Sequence, residues 1–126
     1  MNQETKQTTE NDLLKPLTDV VIESWRFSKL FSRLITQLDA GNNSRYLNQQ
    51  RYFLKKLEES LSAAGLRIIN IEGTEYDPGV AATALNLDDF DTEDHLVVEQ
   101  MLEPIIMNEE GVIRTGTVML KKANKQ

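Results

Sequence analysis

The sequence predicts an α+β fold, with an N-terminal helical hairpin followed by a small all-β domain. Three observations carry this. Apolar residues recur at three- and four-residue steps through the first half, the period switches to two after Gly65, and turn residues punctuate the chain on both sides of the switch. At 126 residues the chain is one domain or two very small ones, since domains run to about 100–150 residues.

The elements follow in order. Residues 1–11 (MNQETKQTTEN) are polar after Met1 and read as a disordered tail; 124–126 are a second short tail. From Leu13 a stripe begins at Leu17, Val20/Val21, Phe27, Phe31, Leu34/Ile35 and Leu38, the face of an amphipathic helix over about 16–39. Pro16 suits its first turn, where no N–H is needed, and AGNNS (40–44) is the expected breaker. A second helix should start at Ser44 as N-cap, with Tyr46/Leu47, Phe53/Leu54, Leu57, Leu61 and Ala64 on one face. Gly65 fits the left-handed position after its last turn, with Leu66 folding back. The two helices, 12–65, form an antiparallel hairpin whose stripes need a further partner.

Four strands are expected in 66–123: Leu66–Ile71, Val80–Leu87, Leu96–Ile106 and Val112–Leu120. Asp77-Pro78-Gly79 is a turn by its chemistry, and Asn108-Glu109-Glu110-Gly111 is the loop of a hairpin. Pro104 interrupts the third apolar run and marks a bulge or a change of direction.

Composition narrows the function classes. Fourteen Lys and Arg against 20 Asp and Glu give a formal charge of −6, which disfavours nucleic acid and anionic membrane as partners. There is no cysteine, so disulfides and thiolate chemistry are excluded and a reducing, cytoplasmic setting is the expectation. No apolar run reaches the roughly 18 residues of a membrane span. LDDFDTEDH (87–95) invites a Ca²⁺ reading, but from Asp89 the sixth position is Asp94 rather than glycine and the twelfth is Gln100 rather than glutamate. A solvated acidic loop is the plainer reading, with a metal- or ligand-binding enzyme subunit using Asp88–His95 as the poorer alternative. His95 stands alone as histidine, and the glycines form no phosphate loop. Trp25, Phe27 and Phe31 at helical spacing read as packing residues rather than an aromatic binding surface. No catalytic constellation emerges, and no cofactor or metal is expected.

Three segments in order then resemble the GrpE family, the nucleotide-exchange factors of DnaK-type heat-shock chaperones. LLKPLTDV (13–20) is similar to the stretch with which that family leaves its long coiled coil. LEESLSAAGLRIINIEGTEYDPG (57–79) resembles its run from the last helix into the first strand and aspartate-proline turn. VVEQMLEPIIMNEEGVIRTGTVMLKKA (97–123) resembles its closing hairpin. The resemblance covers Leu13 to Ala123. It implies a homodimer through a helical bundle, and a β-domain that wedges open the ATPase domain of the chaperone so that ADP leaves. Dimerisation is expected through Leu17, Val21, Phe27, Phe31, Leu34 and Leu38 of the first helix and Phe53, Leu57 and Leu61 of the second.

For the wedge, the resemblance implies Met107, Asn108, Glu109 and Glu110 as the presented loop, with Arg114, Val118 and Leu120 beside it. For Val118 and Leu120 a place in the β-core is an equal alternative, and for Arg114 a plain surface charge. The chain departs from the family pattern in several places. Eleven polar residues stand where the long N-terminal helix would run, Ala81-Ala82 replaces a histidine-glutamate pair, and Pro104-Ile105 replaces a glycine-tyrosine. Arg114-Thr115-Gly116 replaces an Arg-Pro-Ala type segment, and Glu109-Glu110 reverses a commonly basic loop. These departures leave open a second function, an adaptor that keeps the fold, lacks exchange activity and docks on a different partner.

Overall fold

The computed structural model describes residues 2–123, with side chains from residue 12; Met1 and the expected tail 124–126 lie outside the described residues. Two helices precede six short strands, so the mixed α+β class and the order of hairpin then strands hold.

Helix α1 runs Asn2–Ile35, which corrects the disordered tail expected over these residues and the start near Pro16. Residues 2–15 contain neither glycine nor proline, so nothing in them stops a helix from propagating backwards. Pro16 lies inside the helix, and Thr18 Oγ1 donates to the Lys15 carbonyl at 2.8 Å beside it. Helix α2 runs Ala40–Ala63 and starts five residues earlier than a cap at Ser44 would place it. Its N-cap is Asp39, whose Oδ1 accepts from the Asn42 backbone N–H at 2.9 Å. The expected breaker therefore becomes the first turn of α2, because a carboxylate already stands where the orphan amides need an acceptor. Asn43 Nδ2 donates to the Ile35 carbonyl at 2.9 Å and closes the end of α1.

The end of α2 forms as the sequence reads. Gly65 has φ +76°, its N–H donates to Ser62 O, and Leu66 N–H donates to Leu61 O at 2.9 Å, the paired bonds of a Schellman motif. Leu61 and Leu66 are both buried and belong to one apolar cluster, the hydrophobic contact that accompanies this cap.

Strands β1 (Arg67–Ile69), β4 (Ile105–Asn108) and β5 (Gly111–Arg114) form one antiparallel sheet in the order β1-β4-β5. Strands β2 (Ala82–Ala84), β6 (Gly116–Lys122) and β3 (Leu96–Glu103) form the other in the order β2-β6-β3, with β2 parallel to β6. Two of the expected long strands are thus each divided between the sheets. The first division falls at Pro104, which cannot donate to a ladder. The second falls at Thr115, just before Gly116. A Cβ on Gly116 would stand 2.9 Å from Ile105 Cγ1 and 3.0 Å from the Glu103 carbonyl, so the chain passes from sheet to sheet where only glycine fits. The expected strand Val80–Leu87 shrinks to β2 and a single 3₁₀ turn at Leu87–Asp89. Beyond β2 the Asn86 side chain takes over the ladder, donating to Leu120 O and accepting from Leu120 N–H, both at 2.9 Å.

Two apolar clusters hold the parts together, and each draws on helix and sheet. Trp25 packs with Leu96, Val98, Met101, Ile105, Val118 and Leu120. Val21 and Ile22 pack with Leu61, Leu66 and Ile106. Side chains as fully buried as Met101, Ile106 and Val118 each contribute about 1.5–3 kcal/mol.

Candidate functional site

The inward face of α1 is used by the protomer itself. Thr18, Val21, Ile22, Trp25, Ser28 and Ile35 are buried against α2 and the sheets. Gln50 of α2 is buried there too, donating through Nε2 to Ser28 O at 2.8 Å and Ser32 Oγ at 2.6 Å, so its amide is satisfied within the hairpin.

The opposite face of α1 is also apolar, and it is open. Leu13, Leu17, Val20, Phe27, Leu30 and Leu34 are all exposed, with Phe27 at 65% and Val20 at 59%. Leu13, Val20, Phe27 and Leu34 recur every seven residues, and Leu17, Ser24 and Phe31 recur at the same period four positions on; Leu38, next in that series, lies beyond the end of α1. Together they make the alternating three-four spacing of a helix–helix seam. On α2 the exposed Tyr46 and Phe53 border this face, and Phe31 meets Tyr46 edge-on at 6.2 Å. An apolar cleft lined by Phe27, Phe31, Gln49 and Phe53 runs between the helices.

The residues expected at a dimer contact therefore divide. Leu17, Phe27, Leu34, Leu38 and Phe53 are exposed on the hairpin, and Phe31 is half-buried among them. Val21 and Leu61 are corrected: both are buried in the protomer core, where no partner reaches them, and Leu57 packs against the same cluster. Of the adjacent pair Val20 and Val21, it is Val20 that faces out. The missed outward residues are Leu13, Val20, Leu30, Tyr46 and Tyr52, and the seven-residue recurrence of Val20 with Phe27 was the signal for the second of these.

The second surface is the β4–β5 hairpin. Asn108 and Gly111 are the closing pair, leaving Glu109 and Glu110 as an exposed two-residue tip, and Asn108 Oδ1 accepts from Glu110 N–H at 2.8 Å. Met107 is half-buried and packs against the core below the tip. Arg114, at the far end of β5, extends Nη1 to Asp19 Oδ1 of α1 at 3.4 Å with both side chains substantially exposed. Val118 and Leu120 are corrected: at 0% and 2% exposure they belong to the core and present nothing to a partner. They alternate inward on β6 with Gly116, while Thr117 and Met119, at the intervening positions, are only half-buried.

Polar contacts also join α1 to the β-unit. Arg26 reaches Glu103 Oε2 at 2.8 Å, and Lys29 pairs with Glu72 while lying 4.8 Å over the Trp25 ring. Among the described residues no three His, Asp or Glu side chains cluster as a metal would require, and no helix is long and apolar enough to cross a membrane. His95 is exposed. No family model matches the chain, and neither a curated protein nor a solved structure matches it.

Proposed function

We propose that the chain is a GrpE-like co-chaperone that binds the ATPase domain of a DnaK-type chaperone and promotes ADP release, working as a homodimer through its helices. The observation that carries this reading is the exposed apolar seam of seven-residue period on α1, on a helical hairpin fastened to a small β-unit with a projecting tip. The order of parts and the sequence resemblance over Leu13–Ala123 support it. Such a factor makes no bond; it shifts the chaperone toward its open conformer by binding that conformer more tightly.

The seam supports the dimer. A face this apolar, exposed over several turns, loses free energy to water unless a like face covers it. The tip residues Glu109 and Glu110, with Met107 and Asn108 beneath them, and the exposed head of Arg114 are the residues we place against the chaperone.

A second reading follows from the charge of the tip. Two carboxylates at the presented loop, and Arg114 shared with Asp19, fit an adaptor that docks on a different partner without exchange activity. Calorimetry with a DnaK-type ATPase domain separates the two. The exchange-factor reading predicts tighter binding to the nucleotide-free domain than to the ADP-bound one. Equal affinity for both states removes exchange activity, and absence of binding to either favours the adaptor on a different partner.

A further inference from the structure

The geometry points to a second docking surface, independent of the exchange-factor reading: a groove beside β3 that takes an extended basic peptide segment carrying a large apolar residue. The groove has a volume of about 600 Å³, within the size range of ligand sites, and lies between the turn at 75–78 and the acidic loop 87–95. Its floor is apolar. Tyr76 and Phe90 are half-buried and packed against the core, Leu96 is buried beneath them, and Leu87 stands 44% exposed at the edge. Its rim is anionic, with Glu75, Asp88, Asp91 and Asp94 all lining it.

The pairing of floor and rim selects the occupant. A bare cation has no use for an aromatic and aliphatic floor, and an uncharged apolar peptide gains nothing from four carboxylates. Lysine and arginine carry both parts, an alkyl stem for the floor and a cationic head for the rim, and a neighbouring apolar side chain fills the remainder. The chain already satisfies part of this rim with a lysine of its own. Lys122 Nζ lies 3.8 Å from Asp94 Oδ2, and Ala123 N–H donates to His95 O at 2.8 Å. Glu75, Asp88 and Asp91 form no ion pair among the described residues. Nucleic acid is excluded by the sign of the rim.

The test uses a fluorescein-labelled hexapeptide of alternating lysine and leucine character, and an analogue of equal charge in which glycine replaces every leucine. Anisotropy gives affinity, and amide shifts of Leu87, Phe90 and His95 give location. The proposal expects saturable binding that weakens about tenfold for the leucine-free analogue and about tenfold in Asp88→Asn/Asp91→Asn. The charge-matched control Glu58→Gln/Glu59→Gln, on exposed positions of α2, should leave affinity unchanged. All substitutions are on exposed side chains, and circular dichroism checks that each variant is folded. Equal affinity for the two peptides, equal weakening by the control, or amide shifts confined to the helices would each overturn the proposal.

Discussion

Trp25 Nε1 donates to the Met101 carbonyl at 2.9 Å, joining the middle of α1 to the irregular stretch of β3 across 76 residues of sequence. The Met101 N–H is taken by Glu72 Oε2, also at 2.9 Å, and Glu72 in turn pairs with Lys29, one turn after Trp25. Both backbone groups of Met101 are therefore satisfied from outside its own ladder, one by α1 directly and one through a carboxylate that α1 holds. This is where β3 loses register with β6, between Val98 and Gln100 and again between Met101 and Glu103. A bulge frees backbone groups that must find partners, and here they fasten the sheet to the helix.

Replacing Trp25 with Phe removes the donor and leaves the Met101 carbonyl buried. A loss of about 2 kcal/mol in urea unfolding is expected, from the orphaned acceptor and the smaller ring. A midpoint equal to wild type would show that the bond adds nothing.

Gly116→Ala tests the crossing between the sheets. The added Cβ meets the Glu103 backbone oxygen at 3.0 Å as well as two side chains, so relief requires the backbone to move. A destabilisation of about 1–3 kcal/mol is expected. Gly79→Ala, where the nearest atom is Asp77 Oδ1 at 3.5 Å, is the control and should cost under about 0.5 kcal/mol.

The open seam on α1 makes a directional prediction about assembly. Phe27→Asp places a charge at its centre on a residue that is 65% exposed within the protomer, and should yield a folded monomer by light scattering, against the dimer expected of wild type. Val21→Asp, on the buried face, should instead unfold the chain, since a core carboxylate has no partner there. A wild-type mass equal to one chain at all concentrations contradicts the dimer.

Arg114→Glu separates folding from docking. The ion pair with Asp19 is exposed on both sides and is worth at most about 1 kcal/mol, so thermal unfolding should change little. Affinity for the chaperone ATPase domain should fall. Unchanged affinity with native circular dichroism would remove Arg114 from the docking surface.

The local features legible in the sequence were those whose chemistry is complete within a few residues. Gly65 with Leu66, the Asp77-Pro78-Gly79 turn (Asp77 Oδ1 accepting from Gly79 N–H at 2.9 Å) and the Asn108–Gly111 hairpin all formed as read. Pro104 marked a change of direction. What failed depended on competition or on distant partners. Asp39 and Ser44 are both good caps, and only the fold chooses between them. The pairing of β2 with β6 in parallel joins segments more than thirty residues apart, and no local pattern announces it.

The site was legible to a similar extent. An apolar stripe on the first helix was plain, but a helix apolar on two sides gives no sign of which side its own chain will cover. Hence Val20 and Val21, adjacent in sequence and equally apolar, lie one outside and one inside. Val118 and Leu120 alternate as any β-strand face does, and alternation alone does not say which face is core.

The most direct test of the central claim is stopped-flow release of a fluorescent ADP analogue from the DnaK-type chaperone of the same organism, with and without this protein. Release should accelerate with increasing protein, and Arg114→Glu should diminish the acceleration. A release rate that stays the same at saturating protein would contradict it.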